Sequence, residues 1–79
     1  MESIADTKHY TGARQSARAI REGKALRAFV ASDAKADVTL PIRRLCEEKS
    51  IPVTAVESMG ELGAACGIEI GAAVAVILA

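Results

Sequence analysis

The chain has 79 residues, 51% apolar and 3% aromatic, and its ten basic residues balance ten acidic ones to a formal net charge of zero. That length holds one domain, residues 1–79, which buries only about 60% of its unfolded surface, so the core must be built efficiently. One Phe, one Tyr and no Trp argue against a single-strand groove made of several stacking aromatics, and zero net charge gives no global signal for a polyanion.

Residues 3–7 carry a weak signal for a short helix, and His9–Thr11 reads as a short edge strand. Gly12 then breaks the chain, and a stronger helix is predicted over Ala13 to Glu22. Its apolar stripe is Ala13, Ala17 and Ile20. Opposite that stripe, Arg14, Arg18 and Arg21 recur at i, i+4 and i+7, a spacing that stacks them on one face. Gly23 supplies the stop. Ala25–Ala31, with Phe29 and Val30, reads as a strand, and Ser32–Asp37 as a polar loop. Thr39 is the predicted cap of the next helix, with Pro41 in its first turn. Ile42, Leu45 and Cys46 form its buried side, and it ends near Lys49.

Pro52 opens a strand over Val53–Val56. Ser58 and Glu61 have capping-box spacing and start a helix whose core face is Leu62, Ala65 and Cys66. Gly67 followed by Ile68 has the form of a glycine stop with its apolar clasp. The continuous apolar run Ala72–Leu78 predicts a central strand buried on both faces. Helices alternating with strands predict a layered α/β sandwich. There is no internal repeat and no low-complexity linker.

The charge is distributed unevenly. Lys8 to Arg27 holds six basic residues and one acid, Glu22, whereas residues 28–79 hold four basic residues and seven acids. A basic patch thus sits on an acidic body. Either it is a solvated helix face or it meets a polyanion. A helix start offers unpaired amide donors to a phosphate. Arginine can pair with guanine, and glutamine can read a base edge. Arg14, Gln15 and Arg18 are therefore the candidate nucleic-acid residues.

Enzymatic chemistry has little support. His9 is the sole histidine, and a Cys–His pair needs contact and a third orienting group that nothing here indicates. Cys46 reads as a small core residue, and Cys66 also reads as core. There is no CxxC, no HxxxH and no calcium-loop spacing, so no metal, cofactor or catalytic residue is expected. Gly60, Gly63, Gly67 and Gly71 lack the arrangement of a phosphate-binding loop. The charged first residues do not form a secretory leader, and the C-terminal apolar run is too short to span a membrane. A cytoplasmic, monomeric protein with reduced thiols is expected.

Four motifs, in order, resemble the kink-turn-binding ribosomal protein family, in its short bacterial YbxF-like branch. Gly12-Ala13-Arg14-Gln15-Ser16-Ala17-Arg18-Ala19-Ile20 is similar to the family's helix start. Phe29-Val30-Ala31-Ser32-Asp33-Ala34 resembles its second strand, which ends in an acidic loop. Leu45 to Val53 resembles its L-C-E-E-x-x-[IV]-P-[VY] junction. Leu62 to Gly71 resembles its L-G-x-A-C-G-[IL]-E-V-G loop. The resemblance covers nearly the whole chain. It implies a three-layer α/β/α sandwich with a mixed four-stranded sheet, and a non-enzymatic ribonucleoprotein component that stabilises kink-turn RNA in ribosomal RNA or a riboswitch.

In that family the helix start reads tandem sheared G·A pairs, a role that falls here to Arg14, Gln15 and Arg18, with Gly12 letting the backbone approach. The loop after the last helix packs against an extruded nucleotide, which implicates Ile68, Glu69 and Ile70. Ile68 has a second reading as the helix-stop clasp, Ile70 as a core residue, and Asp33 as a turn residue. Bacterial relatives often carry lysines on the last helix, where this chain has Gly60, Glu61 and Ala64. Fewer phosphate contacts imply a flatter salt dependence. The same departure favours the alternative of a protein-interaction module that keeps the fold without RNA binding.

Overall fold

The most apolar stretch takes an inner position in the sheet. The computed structural model describes residues 3–79. In chain order the elements are β1 (His9–Thr11), α1 (Ala13–Arg21), β2 (Ala25–Ala31), α2 (Ala36–Lys49), β3 (Val53–Val56), α3 (Met59–Ala65) and β4 (Val74–Leu78). The strand order is β1-β4-β2-β3. β4 runs antiparallel to both β1 and β2, and β2 runs parallel to β3, so the sheet is mixed.

Side-chain alternation along the strands divides the core into two layers. Val74 and Val76 join Ala17, Ile20, Ala28, Val30, Ile42 and Cys46 under α1 and α2. Ala75 joins Phe29, Val56, Leu62 and Cys66 on the α3 side. The expected three-layer α/β/α sandwich is therefore present. Cys46 and Cys66 lie in different layers, both free and buried. Burial pushes the Cys46 thiol up, against a smaller opposing pull from Arg43. It is a packing group without thiolate character at neutral pH.

The predicted strands coincide with β1, β2 and β3. β4 starts two residues later than expected because the Ala72 N–H donates to the Met59 carbonyl over 3.0 Å, which ties this stretch to α3. α1 ends as predicted. Gly23, at φ +73°, donates to the Ile20 carbonyl, and Lys24 donates to Ala19. α3 begins on Ser58, whose Oγ accepts the Glu61 N–H over 3.1 Å. It ends at Gly67, with the Ile68 N–H bonded to the Gly63 carbonyl.

Two expectations are corrected. Residues 3–7 form no helix. The Ile4 and Ala5 N–H groups both donate to the Ala65 carbonyl over 2.9 Å, and Ile4 is fully buried on the α3 side. Docking on α3 satisfies these groups, whereas so short a helix would carry the full nucleation cost. α2 starts at Ala36 on Lys35, not at Thr39. The Val38 and Thr39 N–H groups bond to the Lys35 carbonyl, and Thr39 Oγ1 donates back to that same oxygen over 3.5 Å instead of capping forward. Pro41 consequently lies inside the helix, where it forgoes one backbone hydrogen bond.

The segment between α3 and β4 is seated closely on α3. A Cβ at Gly63 would collide with the Ile70 carbonyl, and one at Gly71 would lie 3.1 Å from the Met59 Cβ. Gly60, three residues from Gly63, has only Ser58 Oγ nearby, at 3.8 Å. The same substitution should therefore have opposite signs on one helix. Gly63→Ala is expected to lower unfolding free energy by about 1–3 kcal/mol through overpacking. Gly60→Ala is expected to leave it unchanged or raise it by up to about 1 kcal/mol. Urea titrations distinguish the two, and equal effects would contradict the seating of the loop.

Ser16 is fully buried, and its Oγ has no hydrogen-bond partner among the described residues. An unpaired buried hydroxyl costs on the order of 1–3 kcal/mol. Ser16→Ala is accordingly expected to raise stability by about 1 kcal/mol in the same titration. A loss of stability would show that the hydroxyl is satisfied.

Candidate functional site

Four connections converge at one end of the sheet: Gly12 after β1, residues 32–35 after β2, residues 57–58 after β3, and residues 66–73 before β4. Strand direction and register bring them there. Thr11 lies opposite Ala75, Val30 opposite Val74, and Ala31 beside Val56. The Gly12 N–H donates to the Val74 carbonyl over 2.8 Å, and the Ala31 N–H donates to the Ala73 carbonyl over 2.9 Å. The expected helix-start residues and the expected loop, 50 or more positions apart in sequence, thus share one end of the molecule.

Gly12 adopts φ +105° and ψ 151°, a region essentially restricted to glycine. A Cβ there would meet nothing within 4 Å. Backbone geometry, not crowding, demands glycine, and the space beside it is open to a partner. α1 then begins with no side-chain cap and no acid in its first turn. By contrast, α2 has Asp37 in its first turn. α3 has the Ser58 cap and Glu61, and Asp33 Oδ1 accepts its Met59 N–H over 2.8 Å. Among the described residues α1 is therefore the helix start without a negative complement. Its unpaired N–H groups and positive dipole end face outward.

Arg14, Gln15, Arg18 and Arg21 are all exposed on α1. The helix divides them into two lines. Gln15 and Arg18 border a small cleft with Tyr10 of β1. Arg14 and Arg21 border the groove between α1 and α2, where Asp37 and Pro41 form part of the opposite wall. Arg18 is engaged locally: its Nε lies 3.3 Å from Glu22 Oε2, and Lys24 Nζ lies 3.4 Å from Glu22 Oε1. Hydrogen bonds from Arg18, then from Lys24, hold the Glu22 carboxyl below its ordinary range. The carboxylate, and with it these ion pairs, persists through that range and is lost only as pH falls below it. Such an exposed pair is weak, so a bidentate acceptor can draw Arg18 away.

The loop places its three residues differently. Ile68 is half-buried against the α3-side core and serves as the helix-stop clasp. Glu69 is exposed, and Ile70 is 74% exposed. Ile70 is therefore not a core residue; it projects apolar surface from a loop that Gly63 and Gly71 hold in place. Gly60, Glu61 and Ala64 form the exposed side of α3, so no cation stands there. Asp33 has a structural task, tethering the β2–α2 connection to the start of α3.

Sequence reasoning missed Tyr10. The signal was the alternation His9–Tyr10–Thr11, but using it required knowing which face of β1 lies beside α1. Among the described residues no group of three or more His, Cys, Asp or Glu can hold a metal ion. His9 Nδ1 lies 2.8 Å from the Thr7 carbonyl oxygen, while both thiols are buried. No helix is long and apolar enough to cross a membrane among these residues.

Comparison with known proteins agrees with this fold. The chain is 42% identical over 71 residues to an RNA-binding protein of Geobacillus sp. (strain WCH70), covering 90% of this chain and 87% of that one. It is 42% identical over 67 residues to the RNA-binding protein YbxF of Geobacillus stearothermophilus, covering 85% and 82%. Its fold superposes on the Giardia lamblia 15.5kD RNA binding protein with a TM-score of 0.86 at 29% identity, covering 91% of this chain and 61% of that one. The family model described as ribosomal protein L7Ae/L30e/S12e/Gadd45 matches residues 3–79. With that match running through every element of the sandwich and both halves of the converging site, the chain belongs to the L7Ae/L30e/S12e/Gadd45 ribosomal protein family.

Proposed function

We propose that this chain is a non-enzymatic RNA-binding protein that recognises and stabilises kink-turn RNA. The observation that carries this reading is the single-ended site. An uncapped helix start bearing Arg14 and Gln15 shares one sheet end with a fixed loop bearing the exposed Ile70. The names of its relatives and the family of ribosomal proteins it belongs to support the RNA class.

In this reading the duplex lies against the start of α1. Amide donors and the helix dipole attract a phosphate. Arg14, Gln15 and Arg18 meet the guanine edges of the sheared G·A pairs, and Gly12 leaves room for the backbone to approach. Ile70, beside Ile68 and Glu69, packs on the nucleotide extruded at the bend, since RNA specificity commonly resides in unstacked bases. The site is complementary to the bent form only, so binding shifts the RNA toward that form without any chemical step. Ribosomal RNA and riboswitches are the proposed carriers of such a bend, and the proposed setting is a cytoplasmic monomer.

Affinity for a kink-turn duplex and for a control with Watson–Crick pairs in place of the G·A pairs tests this. The kink-turn is expected to bind at least tenfold more tightly. Arg14→Ala and Gln15→Ala should each weaken it by about tenfold to a hundredfold, the range for a lost bidentate base contact. Equal affinity for the two RNAs would contradict the proposal. Absence of binding to either would favour the protein-interaction reading, which the exposed Gly60, Glu61 and Ala64 on α3 support.

A further inference from the structure

We propose that Tyr10 is part of the RNA site, its ring forming a platform on which one nucleotide of the recognised pairs stacks while Gln15 and Arg18 hold that nucleotide's polar groups. This rests on the RNA reading above and extends it to a residue outside the helix-start motif and the loop.

The placement follows from register. Tyr10 lies opposite Val76, and both flanking residues of β1 pair with Ala75 and Ile77. Directly opposed residues share a face, so Tyr10 is on the side of Val76, which belongs to the core under α1 and α2. Val76 is buried, but Tyr10 stands on the outermost strand and is 38% exposed. One part of its ring surface is thus directed at α1 and another at solvent. The residues it meets there, Gln15 and Arg18, are three positions apart and so share one side of the helix.

The size of the cleft limits what it receives. Its volume is about 130 Å³, below the roughly 300–1,000 Å³ of pockets that engulf a small ligand. It suits one group of a larger molecule whose remainder lies outside. Three chemistries meet in it: an aromatic face, a carboxamide that both donates and accepts, and a guanidinium. A ribonucleotide presents their complements: a base to stack, a base edge or 2′-hydroxyl for the amide, and a guanine edge for the cation. The chain has no Trp, and its one Phe is 1% exposed. Tyr10 is therefore the exposed aromatic side chain among the described residues, and it stands beside two of the three proposed base readers. An aromatic-poor composition rules out a row of stacking platforms but leaves this single one.

Because Tyr10 is the chain's one tyrosine, its emission reports on this position alone. The full chain is titrated with a kink-turn RNA, and tyrosine emission is compared with that of the unmixed components at equal absorbance. Affinities of Tyr10→Phe and Tyr10→Leu are measured alongside, with thermal unfolding of each variant. Stacking predicts quenching that saturates with binding, Phe within about twofold of the parent, and Leu weaker by about tenfold to a hundredfold at unchanged unfolding temperature. If Leu unfolds early, the quenching and the Phe value decide. Unchanged emission, or parental affinity in Tyr10→Leu, while the kink-turn is still preferred over its control, would overturn the role of Tyr10 and leave the RNA reading standing. Loss of the kink-turn preference itself would overturn both.

Discussion

The Gly12 amide donates to the Val74 carbonyl over 2.8 Å, and through this hydrogen bond the start of α1 is joined to the start of β4. Gly12 immediately precedes the arginine-bearing helix, and Val74 immediately follows the loop that carries Ile70. β4 is antiparallel to both its neighbours, so one strand end fixes β1, β2 and the α3–β4 loop together. Thr11–Ala75 and Val30–Val74 pairing continue that constraint on either side. A shift of β4 by one residue would exchange its two faces. Val74 and Val76 would leave the α1–α2 core, and the loop would lose its position relative to the helix.

Small side chains let these elements approach closely. α1 buries Ser16, Ala17, Ala19 and Ile20, and facing positions on the sheet include Ala28 and Val30. The result is a helix laid close to the sheet with its long polar side chains outside. On the other layer, Gly63 and Gly71 allow backbone to pack on backbone. That contact is why a loop with a largely exposed isoleucine has a defined position. The interface therefore combines an open, positively polarised helix start with a seated apolar loop. Little further positive charge supports it, because the outer side of α3 carries Gly60, Glu61 and Ala64. In the proposed RNA complex, discrimination rests on shape and base contacts and not on bulk electrostatics.

Much of this was legible in the sequence because local signals agree with the fold. The β-branched run at the C-terminus, the glycine after each of α1 and α3, and the Ser58 cap all have single-residue causes. What was not legible depended on distant partners. Thr39 has the chemistry of a cap, yet it sits one turn inside α2 because the Lys35 carbonyl accepts the first helical bonds. Ile4 becomes core only because Ala65 offers a carbonyl to its segment. Asp33 reads as a turn residue until Met59 is found donating to it. In the site, spacing correctly left the arginines exposed, but not all of them opposite the apolar stripe, because Arg14 and Arg21 border the α1–α2 groove together with Ala13 and Ala17. It did not show that Gln15 and Arg18 face Tyr10 while Arg14 and Arg21 face α2, because that division is set by neighbours on either side of α1. The exposure of Ile70 likewise follows from the path of the loop over Gly63.

The central claim is that this fixed pairing of helix start and loop fits a bent RNA and not a straight one. Energy transfer between dyes on the two arms of a kink-turn duplex, titrated with the protein in magnesium-free buffer, tests it directly. A ligand shifts a conformational equilibrium only through differential affinity for the two forms. The account predicts that transfer rises to the bent value in step with binding, and that it stays at the extended value for a duplex with the G·A pairs replaced. Saturated binding with the arms still extended would contradict it.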